Sequence, residues 1–218
     1  MAIDLSAFAS NYANHFRLAV KMLLATAALA SMVLLNSCGL GNPGSGIVIS
    51  VKDQKMLLVK SGEPVKTYPV STSKFGLGNQ PGSKRTPLGR MEVAKKIGGG
   101  APAGAVFKSR KRTGEILPPN APGRDPIISR IIWLRGNETS NRDTFRRFIY
   151  IHGTPEEYRI GHKASYGCIR MKSRDVIDLY RQLGVGSKVH IIRRSLRNTA
   201  LGHAYAAKNE AYRPAAGS

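Results

Sequence analysis

The chain has 218 residues, with 34 Lys and Arg against 13 Asp and Glu, a formal charge of +21. That length holds one ordinary domain plus extensions, and that charge selects anionic partners: nucleic acid, acidic lipid, or an acidic polymer such as a cell wall. Two cysteines exclude a disulfide scaffold, and the composition is otherwise that of a globular protein.

In residues 1–21 the only basic side chains are Arg17 and Lys21, and residues 22–35 (MLLATAALASMVLL) follow as an uncharged, mainly apolar stretch. It is too short for a comfortable transmembrane helix and suits the core of a signal peptide. A start upstream of Arg17 is needed, because a start at Met22 would strip the signal of its positive charge. The stretch ends in Leu35-Asn36-Ser37-Cys38-Gly39, which resembles a bacterial lipobox. Cys38 is therefore expected to carry lipid and to become the mature N-terminus; an uncleaved anchor and ordinary signal cleavage are the alternatives. The domain plan is a signal segment at 1–38, a Gly-rich linker at 39–46, a main domain at 47–193 and a basic flexible tail at 194–218.

Residues 46–51, 54–60 and 65–70 are short β-rich runs separated by turn residues, which predicts an antiparallel meander. Residues 71–85 read as a loop, Thr86-Pro87-Leu88-Gly89 as a turn, and 90–97 as the next strand. Residues 98–126 contain five of the twelve prolines and read as a long loop placed to cap a groove. The runs 127–134 (IISRIIWL) and 147–152 are dense in β-branched and aromatic residues and read as central strands, with Trp133 in the core. Residues 173–183 predict a helix capped by Ser173, with Asp175 in its first turn. Val176, Ile177, Tyr180 and Leu183 form its apolar face, and Gly184 ends it. Residues 188–192 make a last strand, and 194–218 show no periodicity. No internal repeat is present.

The chemistry concentrates between His152 and Met171. Cys168 lies in the run Ser165-Tyr166-Gly167-Cys168-Ile169-Arg170, and His152 lies 16 residues upstream, at the end of an apolar run. A cysteine and a histidine apart in sequence but close in space are the expected pattern of a thiol nucleophile and its base. By themselves the two residues are equally compatible with a buried structural cysteine beside a surface histidine.

The pattern strand–His–Gly–Thr, then Ile-Gly, then Ala-Ser-x-Gly-Cys-Ile-Arg-Met resembles the L,D-transpeptidase catalytic domain family, the YkuD type. Thr86-Pro87-Leu88-Gly89 resembles that family's second hallmark, and the likeness covers about residues 47–193. Two departures stand out: Tyr166 where the family usually has His, and Arg170 where its strictest motif has Asn. The resemblance implies a mainly β protein, a YkuD-type β-sandwich or meander with one helix after the catalytic motif. It implies Cys168 as nucleophile, His152 as general base and acid, and the Gly153 backbone carbonyl as the group that orients the imidazole.

The Gly167 and Cys168 amides are the expected oxyanion donors. Arg170 is expected to bind a substrate carboxylate, with a solvated surface arginine as the alternative; Ser165 and Tyr166 are expected to contact substrate. His162 is expected to be non-catalytic and His190 structural. No metal or other cofactor is expected, since neither Cys-x-x-Cys nor His-Glu-x-x-His spacing occurs. The resemblance further implies peptidoglycan tetrapeptide stems as substrate, cut before the terminal D-alanine. The thioester then passes to the amine of a second stem (a 3–3 cross-link), to a lipoprotein lysine, or to water. With the signal segment and lipobox, an exported protein of the cell envelope is expected, periplasmic or an outer-membrane-anchored lipoprotein, a monomer with no nucleic-acid partner. The rival classes are an L,D-carboxypeptidase of the same fold and an inactive wall-binding module.

Overall fold

The computed structural model describes residues 44–211; the signal segment, Cys38 and most of the linker lie outside them. Ten strands carry the fold: β1 (Ser45–Ser50), β2 (Lys55–Lys60), β3 (Glu63–Pro69), β4 (Gly89–Ile97), β5 (Ala105–Lys108), β6 (Lys111–Ile116), β7 (Ile127–Gly136), β8 (Tyr150–Gly153), β9 (Ile169–Met171) and β10 (Lys188–Ile192). Helix α1 (Ser173–Gln182) follows β9, and helix α2 (Ala200–Ala211) follows β10. The mainly β architecture with a helix after the Cys168 motif is the one the sequence predicts.

All ten strands join one sheet, in the order β3-β2-β1-β10-β4-β7-β5-β6, with β8 attached to β7 and β9 to β8. Strands β1, β2 and β3 form the predicted antiparallel meander. Ser61 and Gly62 turn between β2 and β3 with positive φ at both positions, a geometry that matches strand twist in a two-residue hairpin. Only the β1–β10 and β8–β9 pairs are parallel. Alternate residues of β1, β10 and β4 (Ile47, Ile49, Val189, Ile191, Met91, Val93) point into the main core, where Val176 and Leu179 of α1 and Leu183 just past its end meet them. Strand β7 is buried on both faces, as a central strand should be: Ile132 and Leu134 enter the main core, whereas Ile131 and Trp133 enter a second cluster with Phe107 and Tyr150.

Four local expectations need correction. Ser173 is the first residue of α1, not its cap; its amide is bound by the Glu157 carboxylate at 2.8 Å. Strand β8 starts at Tyr150 and not at Arg147, because Phe148 takes a left-handed φ of 55° that interrupts extended backbone. Residues 98–126 are not structureless: β5 and β6 form a hairpin inside them, paired through β5 to β7. Finally, residues 196–198 form a 3-10 turn and 200–211 form α2. Leu196, Leu201 and Tyr205 cover Leu57, Val48 and Val59 on the outer face of β1 and β2. The Asp53 carboxylate holds the start of this segment, accepting from Ser195 Oγ at 2.9 Å and Leu196 N at 2.7 Å.

The Thr86-Pro87-Leu88-Gly89 run ends where β4 begins. Gly89 has φ +101°, and a Cβ there would intrude between the Glu138 carboxylate and the Asn141 amide. Those two groups bind the adjoining backbone: Glu138 Oε1 accepts from Arg90 N, and Asn141 Nδ2 donates to the Leu88 and Arg90 carbonyls. Gly89→Ala should therefore destabilise the fold by at least the ~1–3 kcal/mol cost of a strained left-handed residue. Thermal unfolding checks this, and an unchanged midpoint would contradict it.

Candidate active site

Parallel pairing of β8 with β9 aligns Ile151 with Ile169 and His152 with Arg170. Ile151 and Ile169 enter the main core. Strand alternation then puts Tyr150, His152, Cys168 and Arg170 on the opposite face. The chain after β3 closes the far side of β9, where Ser71 and Arg170 exchange backbone hydrogen bonds of 2.9 Å. The 15 residues between His152 and Cys168 are thus spent returning the chain to the neighbouring parallel position.

His152 is 6% exposed. Its Nδ1 lies 2.9 Å from the Gly153 carbonyl oxygen. A carbonyl only accepts, so Nδ1 carries the hydrogen and Nε2 the free lone pair. Burial pushes the imidazole below its ordinary pKa; the Gly153 carbonyl and Asp125 oppose the shift, and Arg170 adds to it. Cys168 is partly exposed and is the one free cysteine among the described residues. Its Sγ accepts from the Tyr150 amide and donates to the Phe148 carbonyl, both at 3.4 Å. Burial pushes the thiol up to about 11, against the Tyr150 amide, Arg147 and Arg170, which favour the thiolate. At neutral pH both groups are therefore uncharged at rest, a thiol and a neutral base on one face of the sheet.

The turn before Cys168 is held from inside. Ser165 Oγ donates to the Cys168 carbonyl and accepts the Gly167 amide at 3.2 Å. Gly167 has φ +122°, and its carbonyl accepts from Thr86 Oγ1 at 3.1 Å. Thr86, fully buried, also accepts the Ser73 amide at 2.9 Å, so the Thr86 hallmark pins the turn before Cys168. Two expectations change here. Ser165 is 2% exposed, and its hydroxyl spends its proton on the Cys168 carbonyl and accepts the Gly167 amide, so it shapes the turn from inside. The Gly167 amide is engaged by Ser165 in this state and not open to an oxyanion.

Tyr166, by contrast, is 59% exposed. Its hydroxyl accepts from Lys74 Nζ at 3.0 Å, which holds the phenol below its usual pKa, and its ring tilts against Phe75 at 5.5 Å. Trp133 is core, as expected: it stacks on Phe145 at 4.1 Å and meets Tyr150 edge-on at 5.3 Å, forming the apolar wall behind the thiol. His162 is exposed in the connecting loop, and His190 lies on the outward face of β10 opposite Arg90.

Arg170 is 2% exposed, so it is not a solvated surface arginine. Its Nη1 donates to Asp125 Oδ2 and to Glu156 Oε2, and Thr154 Oγ1 donates to the other Asp125 oxygen. Both neighbours of Nη1 are the chain's own carboxylates, and a substrate carboxylate would have to displace them. Asp125 was not legible in the sequence, where it is one acidic residue in a Pro- and Gly-rich loop. Nor was Arg147, which read as part of a strand: its guanidinium straps the loop before Thr86 by donating to the Gly78 and Arg85 carbonyls at 3.0 and 2.6 Å. Among the described residues no group of three or more His, Cys, Asp or Glu is placed to hold a metal ion.

Comparison with known proteins converges on one family. The model of the L,D-transpeptidase catalytic domain (YkuD) matches residues 44–191. YcfS of Escherichia coli (strain K12), named as a probable L,D-transpeptidase, is 27% identical over 162 residues, covering 72% of this chain and 47% of the relative. YqjB of Bacillus subtilis (strain 168), named as a candidate L,D-transpeptidase, is 35% identical over 160 residues, covering 72% of this chain and 77% of the relative. The chain thus spans about half the length of the Escherichia relative and most of the Bacillus one. Among solved structures, an L,D-transpeptidase from Xylanimonas cellulosilytica aligns with a TM-score of 0.45 at 19% identity, covering 68% of this chain and 60% of that one.

Proposed function

The chain belongs to the L,D-transpeptidase catalytic domain (YkuD) family, and from that premise we propose that it is a cysteine-dependent peptidoglycan L,D-transpeptidase. The observation that carries the reading is the pairing of β8 with β9: it sets a neutral His152, its tautomer fixed by the Gly153 carbonyl, on the same face as the Cys168 thiol.

In the first half-reaction Cys168 Sγ attacks the carbonyl of the third residue of a tetrapeptide stem. His152 Nε2 takes the S–H proton as the S–C bond forms. The tetrahedral intermediate collapses, His152 gives the proton to the departing D-alanine amine, and a thioester is left on Cys168. In the second half-reaction an acceptor amine attacks the thioester and loses its proton to His152. The imidazolium then protonates the departing sulfur, so protons and bonds balance over the cycle.

The Cys168 amide supplies an oxyanion donor, and the Gly167 amide joins it only by leaving Ser165 Oγ. Tyr166, with Lys74 at its hydroxyl, faces substrate beside the nucleophile. Arg170 acts through its neighbours and not on substrate. No cofactor enters the scheme, and the enzyme acts as a monomer in the cell envelope. Incubation with purified tetrapeptide stems tests this, with free D-alanine and 3–3 dimers expected. D-alanine without dimers, with water as sole acceptor, would identify the L,D-carboxypeptidase instead. No D-alanine at all would leave only a wall-binding role.

Lipidation at Cys38 completes the proposal, and the positive charge favours the anionic wall. Cys38→Ser should move the protein from the membrane to the soluble periplasmic fraction. Unchanged membrane fractionation would defeat the lipoprotein assignment.

A further inference from the structure

Arg170 brings a buried positive charge to the position register-paired with His152. Its Nε and Nη2 are buried without a partner, so Nη1 makes all of its side-chain contacts. A buried cation beside an imidazole opposes the step the reaction needs, uptake of a proton by that imidazole. The compensating charge comes from outside the motif. Asp125, at the end of the long loop before β7, uses both carboxylate oxygens there, one on Arg170 Nη1 and one on Thr154 Oγ1. Its side chain is 25% exposed against 3% for Arg170, so the pair sits at the inner rim of the site.

Resting on the L,D-transpeptidase reading, we propose that Asp125 is a positioning residue for that reaction: it offsets the Arg170 cation and supplies the negative charge that lets His152 hold a proton. The groups facing the imidazole are few. Asp125 comes from the loop and Arg170 from β9, with Glu156 beyond Arg170. Opposite His152 β7 presents Ile131, and α1 presents Val176 to Gly153. Among the charges, Asp125 raises the His152 pKa and Arg170 lowers it, with burial the larger influence.

The test uses the full chain and follows the His152 ring by NMR across pH, its signal identified by loss in His152→Ala. Asp125→Asn should lower the titration midpoint by about 1 unit, the low end of what removing one nearby opposite charge does. The acid limb of kcat/KM for D-alanine release should move down with it, and Asp125→Glu should restore both. A folded Asp125→Asn with an unmoved midpoint overturns the proposal, as does a moved midpoint with an unmoved acid limb. If Asp125→Asn does not fold, Arg170→Gln is compared with Arg170→Gln/Asp125→Asn. The single variant keeps the anion and should titrate higher, and equal midpoints overturn the proposal. The NMR readout needs no substrate. Wild type that releases no D-alanine therefore overturns the catalytic reading, while the titration alone decides the coupling of Asp125 to His152.

Discussion

Cys168→Ala is expected to abolish D-alanine release from a tetrapeptide stem while leaving the fold intact. The thiol is the one free cysteine among the described residues. The nearest aliphatic hydroxyl in sequence, that of Ser165, already donates to the Cys168 carbonyl and accepts the Gly167 amide. No neighbouring group can take over the covalent step, so the loss should be complete and not graded. The thiol's own contacts are weak, two at 3.4 Å, and its removal should cost little stability. Stem turnover and thermal unfolding, measured on the same preparation, check both halves. Turnover that survives in the alanine variant refutes the nucleophile, and a collapsed unfolding midpoint refutes the claim that the residue is there for chemistry.

His152→Ala should lower kcat/KM by about 10²–10⁴-fold, the usual worth of a positioned general base. The direction of its pH dependence follows from the two resting pKa shifts. With the thiol pushed up to about 11, roughly one site in 10⁴ is thiolate at pH 7 once the base is gone. The rate of the variant should therefore climb about tenfold per pH unit above neutrality, as hydroxide replaces imidazole. Wild type should behave differently. Its imidazole, held below the ordinary range by burial, stays neutral into mildly acidic solution, so activity should be lost only as pH falls through that lowered value. A variant whose pH–rate profile parallels wild type would show that His152 is not the base.

Much of this arrangement was legible in the sequence because local chemistry dictates it. The residues of 127–134 have no hydrophilic face, which only a strand buried on both sides satisfies, and β7 is that strand. The apolar spacing of residues 173–183 suits a helix lying on a core: Val176 and Leu183 are buried there and Tyr180 packs against them as expected, while Leu179 takes the place expected for Ile177. The return from His152 to Cys168 is short enough that one loop and one parallel pairing set them on the same face of adjacent strands. What escaped depends on contacts distant in sequence. Nothing near Asp125 signals that its carboxylate will meet Arg170, 45 residues on. Ser165 and Gly167 look like a ligand-facing turn until their polar groups are seen to satisfy each other.

The C-terminal segment escaped for another reason. Leu196, Leu201 and Tyr205 do not make a clear amphipathic repeat, and the demand for them lies elsewhere, on β2. The unbroken apolar run Met56-Leu57-Leu58-Val59 has more apolar residues than one face can bury, and Leu57 and Val59 need a cover that only the distant end of the chain supplies. The apolar run was visible from the start; its partner was not.

The most direct test of Cys168 as the nucleophile and His152 as its base is intact-mass measurement after mixing with a carbapenem, whose strained amide mimics the acyl donor. One adduct should form on wild type, form slowly or not at all on His152→Ala, be absent on Cys168→Ala, and form at nearly the wild-type rate on His162→Ala. Loss of the adduct on His162→Ala with its retention on His152→Ala would contradict the assignment of the base, and an adduct on Cys168→Ala would contradict the assignment of the nucleophile.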